Sequence, residues 1–257
     1  MLERIFRTRL RWRTSLCLCA FVLLAGCGPT RVKISKETDA VGLPKPSMIY
    51  VYDFAVHPSE VKLDTGGPLA RIRTRLSGGA DVAAQDQQAV DLGHQVADIL
   101  ASELVEKITA MGLPAQRITR DQVPPVGTVA VGGQFVDVDQ GNKVKRMAIG
   151  FHQGQSSVAA QVQLYQVTGE AAANQLLDFT AVSQSPPTPG AAVTMGAGAA
   201  VQVAGAAAGA KALGDTVQQD TNRLASRVAT NLQTFFAKQG WTAPPSTLDT
   251  IQMPNLP

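Results

Sequence analysis

Met48-Ile-Tyr-Val-Tyr-Asp-Phe-Ala-Val56 is the stretch that decides the fold. It is rich in β-branched and aromatic side chains and apolar on both faces except at Asp53, a pattern that predicts a strand in the middle of a sheet. Pro58 closes it. Downstream the period changes from two to nearly four. Leu92, Val96, Ile99, Leu100, Leu104, Ile108 and Met111 recur at three- and four-residue steps, predicting a helix over 85–111 that Gly112 and Pro114 stop.

After Pro124-Pro125 strand signals return. Residues 128–138 form one candidate, with Gly132-Gly133 predicting a bulge or a close backbone approach, and 145–151 another. Val158, Ala160, Val162 and Leu164 then alternate with Ala159, Gln161, Gln163 and Tyr165, as in a half-buried strand. Thr168-Gly169-Glu170 supplies a turn, and 176–182 returns. A last amphipathic helix is predicted over 215–238. Val217, Thr221, Leu224, Val228, Leu232 and Phe235 share its apolar stripe, and Arg223, Arg227 and Lys238 stand among its polar positions. The order strand, helix, several strands, helix predicts an α+β fold, a mixed or antiparallel sheet backed by two main helices.

The domain does not begin at Met1. Five arginines (Arg4, Arg7, Arg9, Arg11, Arg13) precede an apolar run over 16–25, the form of a secretory leader. Ten residues rising about 1.5 Å each are too few to cross a bilayer. The run ends in Leu24-Ala25-Gly26-Cys27, which resembles the lipobox of bacterial lipoproteins, where signal peptidase reads the small residues and the cysteine becomes the acylated N-terminus. Cys17 and Cys19 leave with the leader, so Cys27 is the single cysteine of the expected mature chain and an internal disulfide is impossible there. Gly28 after the cysteine, by the same resemblance, points to the outer membrane and its periplasmic face. Residues 27–47, with Pro29, Pro44 and Pro46, read as a lipidated tether, 48–185 as the α+β domain, 186–214 as a Gly/Ala-rich segment, 215–241 as the closing helix and 242–257 as a loose tail.

Composition narrows the function classes. The 257 residues carry 23 basic and 20 acidic side chains; without the five leader arginines and Glu3, 18 oppose 19, a net charge of −1. Such a chain has no electrostatic footprint for nucleic acid. Histidines 57, 94 and 152 are scattered, and Asp91 and Asp98 beside His94 read as solvated helix groups, so neither metal nor cofactor is expected. Gly154-Gln155-Ser156 begins like a nucleophile elbow, but Val158 replaces its second glycine. Gly196-Ala197-Gly198 and Gly205 to Lys211 miss the spacing of phosphate loops, with Val201 and Ala212 at decisive positions.

Three further features are open to more than one reading. Arg71, Arg73 and Arg75 alternate within a long loop over 57–84, either solvated or facing lipid headgroups or an acidic partner. Asp53 caps a turn, pairs with one of these arginines or meets solvent, a structural rather than a catalytic role. Gly205 and Gly209 make a small-xxx-small pair in a stretch without charge from Phe179 to Ala210, read as a linker first and as a helix-packing or membrane-contacting element second.

Residues 49–56, Ile149-Gly-Phe-His-Gln-Gly154 followed by 157–165, and the ending Gln239-Gly-Trp241 resemble a proteobacterial lipoprotein family catalogued as domain of unknown function 4410. His152 and Gln153 replace the smaller residues expected in that loop. The family carries no agreed activity, so the resemblance implies no catalytic residue. A more distant, fold-level similarity is to curli-secretion-type and transport-auxiliary lipoproteins. The expectation is a non-enzymatic outer-membrane lipoprotein, anchored in the membrane by lipid, whose periplasmic domain binds other envelope proteins in an assembly or transport system. The alternatives are a self-associating secretion or pore lipoprotein using the Gly/Ala-rich segment and, last, a periplasmic enzyme.

Overall fold

The computed structural model describes residues 30–64, 80–142, 154–169, 173–186 and 216–245. The leader, Leu24, Ala25, Gly26 and Cys27, Arg71, Arg73 and Arg75, the strand expected over 145–151, and Gly205 and Gly209 lie outside the described residues.

Among the described residues seven strands form one sheet: β1 (Thr30–Glu37), β2 (Ile49–Tyr52), β3 (Val61–Lys62), β4 (Ala115–Ile118), β5 (Val129–Asp139), β6 (Ser157–Gln166) and β7 (Asn174–Gln184). The order across the sheet is β1-β7-β6-β5-β2-β4, with β3 also against β5. The first three pairings, β1 with β7, β7 with β6 and β6 with β5, are antiparallel. β2 lies parallel to β4 and β5, and β3 parallel to β5. The sheet is therefore mixed, and two helices, α1 (Ala80–Ala110) and α2 (Thr216–Lys238), make the fold α+β as expected.

Burial follows the periods in the sequence. Leu92, Val96, Leu100, Leu104 and Ile108 of α1 and Val217, Leu224, Val228, Leu232 and Phe235 of α2 join Val51, Val131, Val162, Leu164, Leu176 and Phe179 in one core. Burying each large aliphatic or phenyl side chain contributes about 1.5–3 kcal/mol. On the opposite face of β6 and β7, Asp178 accepts from the side-chain amides of Gln161, Gln163 and Gln175 at 3.1–3.2 Å. Gly112 ends α1 and Gly240 ends α2 with φ of +81° and +76°, in the left-handed region that favours glycine.

Four expectations are corrected. Thr30–Glu37, expected within the tether, is the edge strand β1, paired with β7 from Thr30↔Ser183 to Glu37↔Leu177. Its signal is weak because an edge strand needs little apolar surface: Val32 is half-buried and Ile34 is 52 % exposed. The chain after β1 is docked as well. Gln239 accepts from the Leu43 amide at 3.1 Å and donates to the Ala40 carbonyl at 2.8 Å, while Trp241 Nε1 donates to the Leu43 carbonyl at 2.8 Å. The second correction is β4, four residues with only Ile118 buried, too short to show a period. Third, the run 48–56 pairs regularly only over Ile49–Tyr52, and the chain then leaves the ladder apart from a bridge between Ala55 and Gln134. Fourth, Arg227 is 7 % exposed, its guanidinium donating to Thr30 Oγ1 at 2.8 and 3.2 Å, and burial lowers its pKa.

Candidate functional site

The departure of the chain from the ladder after Tyr52 creates the candidate site. Asp53 N still donates to the Ile118 carbonyl at 3.4 Å, and Ala55 exchanges bonds with β5, donating to the Gly133 carbonyl (3.0 Å) and accepting from Phe135 N (2.8 Å). Between these holds the chain bows outward. Phe54 turns inward, 3 % exposed, with its ring edge-on to Phe135 at 6.2 Å. His57 then caps the short 3-10 turn Pro58–Glu60, its Nδ1 receiving the Ser59 amide at 3.3 Å.

The bowed segment faces α1 across a cleft of about 480 Å3. Small residues one turn apart on α1, Ala89, Gly93 and Ala97, form one wall, and Phe54, Ala55, Val56 and Pro58 the other. Gly93 sets the approach: a Cβ there would lie 2.9 Å from Val56 Cγ1. The small-xxx-small spacing singled out at Gly205 and Gly209 thus recurs on α1, where it shapes a cavity.

Two arginines that sequence reasoning missed stand at the rim. Arg117, on β4 opposite Val51, donates through Nε to Asp53 (2.5 Å) and through Nη1 to Asp98 (2.5 Å) and Ser102 (3.3 Å). Hydrogen bonding to Asp53, then to Asp98, pushes its pKa above the usual arginine value. It clamps the end of β2 to the middle of α1. Arg120 follows β4 and donates to two backbone carbonyls, of Asp53 (3.1 Å) and Gly133 (3.0 Å). The pair in Arg117-Ile-Thr-Arg120 was the available signal, but four residues without a period gave no reason to place it beside Asp53.

The sequence candidates scatter. Asp53 has a structural partner, as expected, but it is Arg117. Asp98 belongs to the same clamp, whereas Asp91 accepts from Gln87 at 2.9 Å and His94 is exposed at the cleft mouth. Among the described residues no three His, Cys, Asp or Glu side chains converge on a metal-sized site. Ser156 lies elsewhere, fully buried, donating to Asp220 Oδ2 at 2.5 Å; Asp220 is also buried and pairs with Arg223. Asp53, His57 and Ser156 thus each engage a different partner. The cleft offers a half-apolar hollow, small side chains, and a rim whose opposite charges are already clamped together.

A family model described as Domain of unknown function (DUF4410) matches residues 49–202. No curated protein matches the chain. Among solved structures, two crystal forms of a PelC dodecamer from Paraburkholderia phytofirmans are similar at 12 % identity. One has a TM-score of 0.30 and covers 61 % of this chain and 83 % of that one. The other scores 0.29, covering 60 % and 80 %.

Proposed function

The chain belongs to the family described as Domain of unknown function (DUF4410), and from that premise, which supplies no activity, we propose that it is a lipid-anchored envelope protein whose cleft between α1 and the bowed segment after β2 binds a partner protein. The supporting observation is the Arg117 clamp. Its carboxylates and guanidinium satisfy one another within a few ångströms, so the rim holds charge in fixed positions around the hollow. A hollow walled by Ala89, Gly93, Ala97 and Phe54 accepts an inserted apolar side chain, and the exposed edges of Asp98, Arg117 and His94 surround it with polar groups. Acylation of Cys27 carries this domain to the periplasmic face of the outer membrane, as the lipobox implies.

The test is a photo-crosslinking residue at His94 in the full chain in its native envelope. A discrete protein adduct, formed at His94 and absent both from a matching probe at Gly169 and from the His94 probe combined with Arg117→Ala, is expected. Folding of the Arg117→Ala chain is checked by its melting curve. No adduct at His94, or the same adducts at both positions, overturns the assignment of the cleft.

A further inference from the structure

The two edges of the sheet differ. β4 closes one side with four residues, and its Arg117 is spent on the clamp. β1 closes the other with eight residues and pairs with β7 along one side. Among the described residues no strand lies along its outer side, so the backbone groups that point there are open to pairing. An edge of this kind is a template for another strand.

The two faces of β1 are chemically unlike. Arg31, Lys33 and Lys36 stand opposite Val182, Thr180 and Asp178, on the face turned away from the helices. All three cations are exposed, and among the described residues none of them forms an ion pair. Lys36 donates to the Gln175 amide oxygen at 3.3 Å, and Asp178 is already taken up by glutamine amides. Val32 and Ile34 stand opposite Ala181 and Phe179, on the helix side. There α2 grips both ends of the strand, Arg227 donating to Thr30 and Lys238 to Glu37. Between these grips Val32 is half-buried and Ile34 is 52 % exposed. The register shifts between Ile34 and Lys36, so the regular part of the edge is Thr30–Ile34.

We infer that β1 is extended by a strand from a partner protein, a segment in which acidic and apolar side chains alternate. Backbone bonds along Thr30–Ile34 hold it, as in other strand additions. Its acids meet Arg31 and Lys33, with Lys36 beyond the register shift, and its apolar side chains cover Val32 and Ile34. A slip of one residue would carry the acids onto the apolar side, so the alternation fixes the register. A second copy of β1 is a poor occupant, because it sets cation against cation. The edge is also separate from the cleft, with β7, β6 and β5 between β1 and β2, so the inference stands apart from the cleft's assignment.

The full chain extracted from membranes tests this by fluorescence anisotropy with three short labelled peptides. One alternates glutamate and valine, one has the same composition in two blocks, and one carries lysine in place of glutamate. The alternating acidic peptide is expected to bind several-fold tighter than the block peptide, and the lysine peptide not to bind. Arg31→Glu combined with Lys33→Glu, checked for folding by its melting curve, is expected to reverse the preference toward the lysine peptide. Amide hydrogen exchange on the unaltered chain locates the contact, and new protection within 30–36 is expected. No binding of the alternating peptide, equal affinity for the block peptide, or protection at 53–58 of the cleft instead of at β1 overturns the inference. So does protection of 30–36 that is present without peptide and fades on dilution, which marks a second copy. Protection of 30–36 by phosphatidylglycerol vesicles and not by the peptide marks a lipid surface and overturns it too.

Discussion

Gly133 couples the sheet to the cleft, and Gly133→Ala exposes that coupling. A Cβ at this position would stand 2.0 Å from the Gln161 carbonyl oxygen of β6 and 2.8 Å from the Phe54 ring. The first neighbour is backbone in mid-sheet, so β5 and β6 must separate or the local ladder must shift. Overpacking of this kind costs about 1–3 kcal/mol. The Gly133 carbonyl also accepts from Ala55 N (3.0 Å) and from Arg120 Nη2 (3.0 Å), so a shift weakens both the bridge and the rim. Each such bond contributes about 1 kcal/mol. Replacing glycine stiffens the unfolded chain and returns about 0.4–1 kcal/mol. The net is a loss of about 2–4 kcal/mol, a fall in Tm on the order of 5–15 °C. Gly132→Ala is the matched control, because its Cβ would meet only the Tyr52 side chain at an ordinary 3.5 Å. Thermal melts by circular dichroism on both variants decide it. A Gly133→Ala chain melting within about 2 °C of the parent, or a Gly132→Ala chain melting lower than it, refutes the reasoning.

Other expectations follow from the same contacts. Ser156→Ala removes a donor from the fully buried Asp220 carboxylate and is expected to cost about 1–3 kcal/mol in denaturant titration; an unchanged midpoint would contradict the buried bond. Trp241→Ala removes a ring stacked on Phe236 at 5.5 Å, edge-on to Phe235 at 6.2 Å and bonded to Leu43, at a cost of about 3–5 kcal/mol, and is expected to loosen protease protection at 38–47 as well. Burial lifts the phenol pKa of Tyr52, and burial followed by the Asp178 charge lifts that of Tyr165. A pKa raised on folding contributes stability that is fully present below the ordinary 10.0 and lost as pH rises through the folded values. Alkaline melts are therefore expected to fall above about pH 10, and to fall less in Tyr165→Phe; a Tyr165→Phe chain with the same alkaline profile would show that folding does not raise this phenol.

What could be read in advance divides along physical lines. Both helices announce themselves through long apolar periods, because a helix against a sheet must bury a continuous stripe, and β6 through its alternation. β1 and β4 stay hidden for opposite reasons: β1 has enough length but, at an edge, little to bury, and β4 buries only Ile118 in four residues. Gly132-Gly133 signalled a close approach and the structure supplies one at Gly133, where Phe54 and the Gln161 carbonyl crowd the backbone. The candidate site was half legible. Asp53 stood out as a charge in an apolar run, but its partner lies 64 residues away on the strand that left no pattern. The cleft wall of Ala89, Gly93 and Ala97 was present in the sequence as a small-residue spacing, overshadowed by the more conspicuous glycines of the Gly/Ala-rich segment.

The intact mass of the chain extracted from its native membranes tests the central claim most directly. The account predicts a polypeptide beginning at Cys27 and carrying diacylglycerol on the Cys27 sulfur. A chain retaining residues 1–26, or one cleaved elsewhere with the Cys27 thiol free or removed, would contradict it.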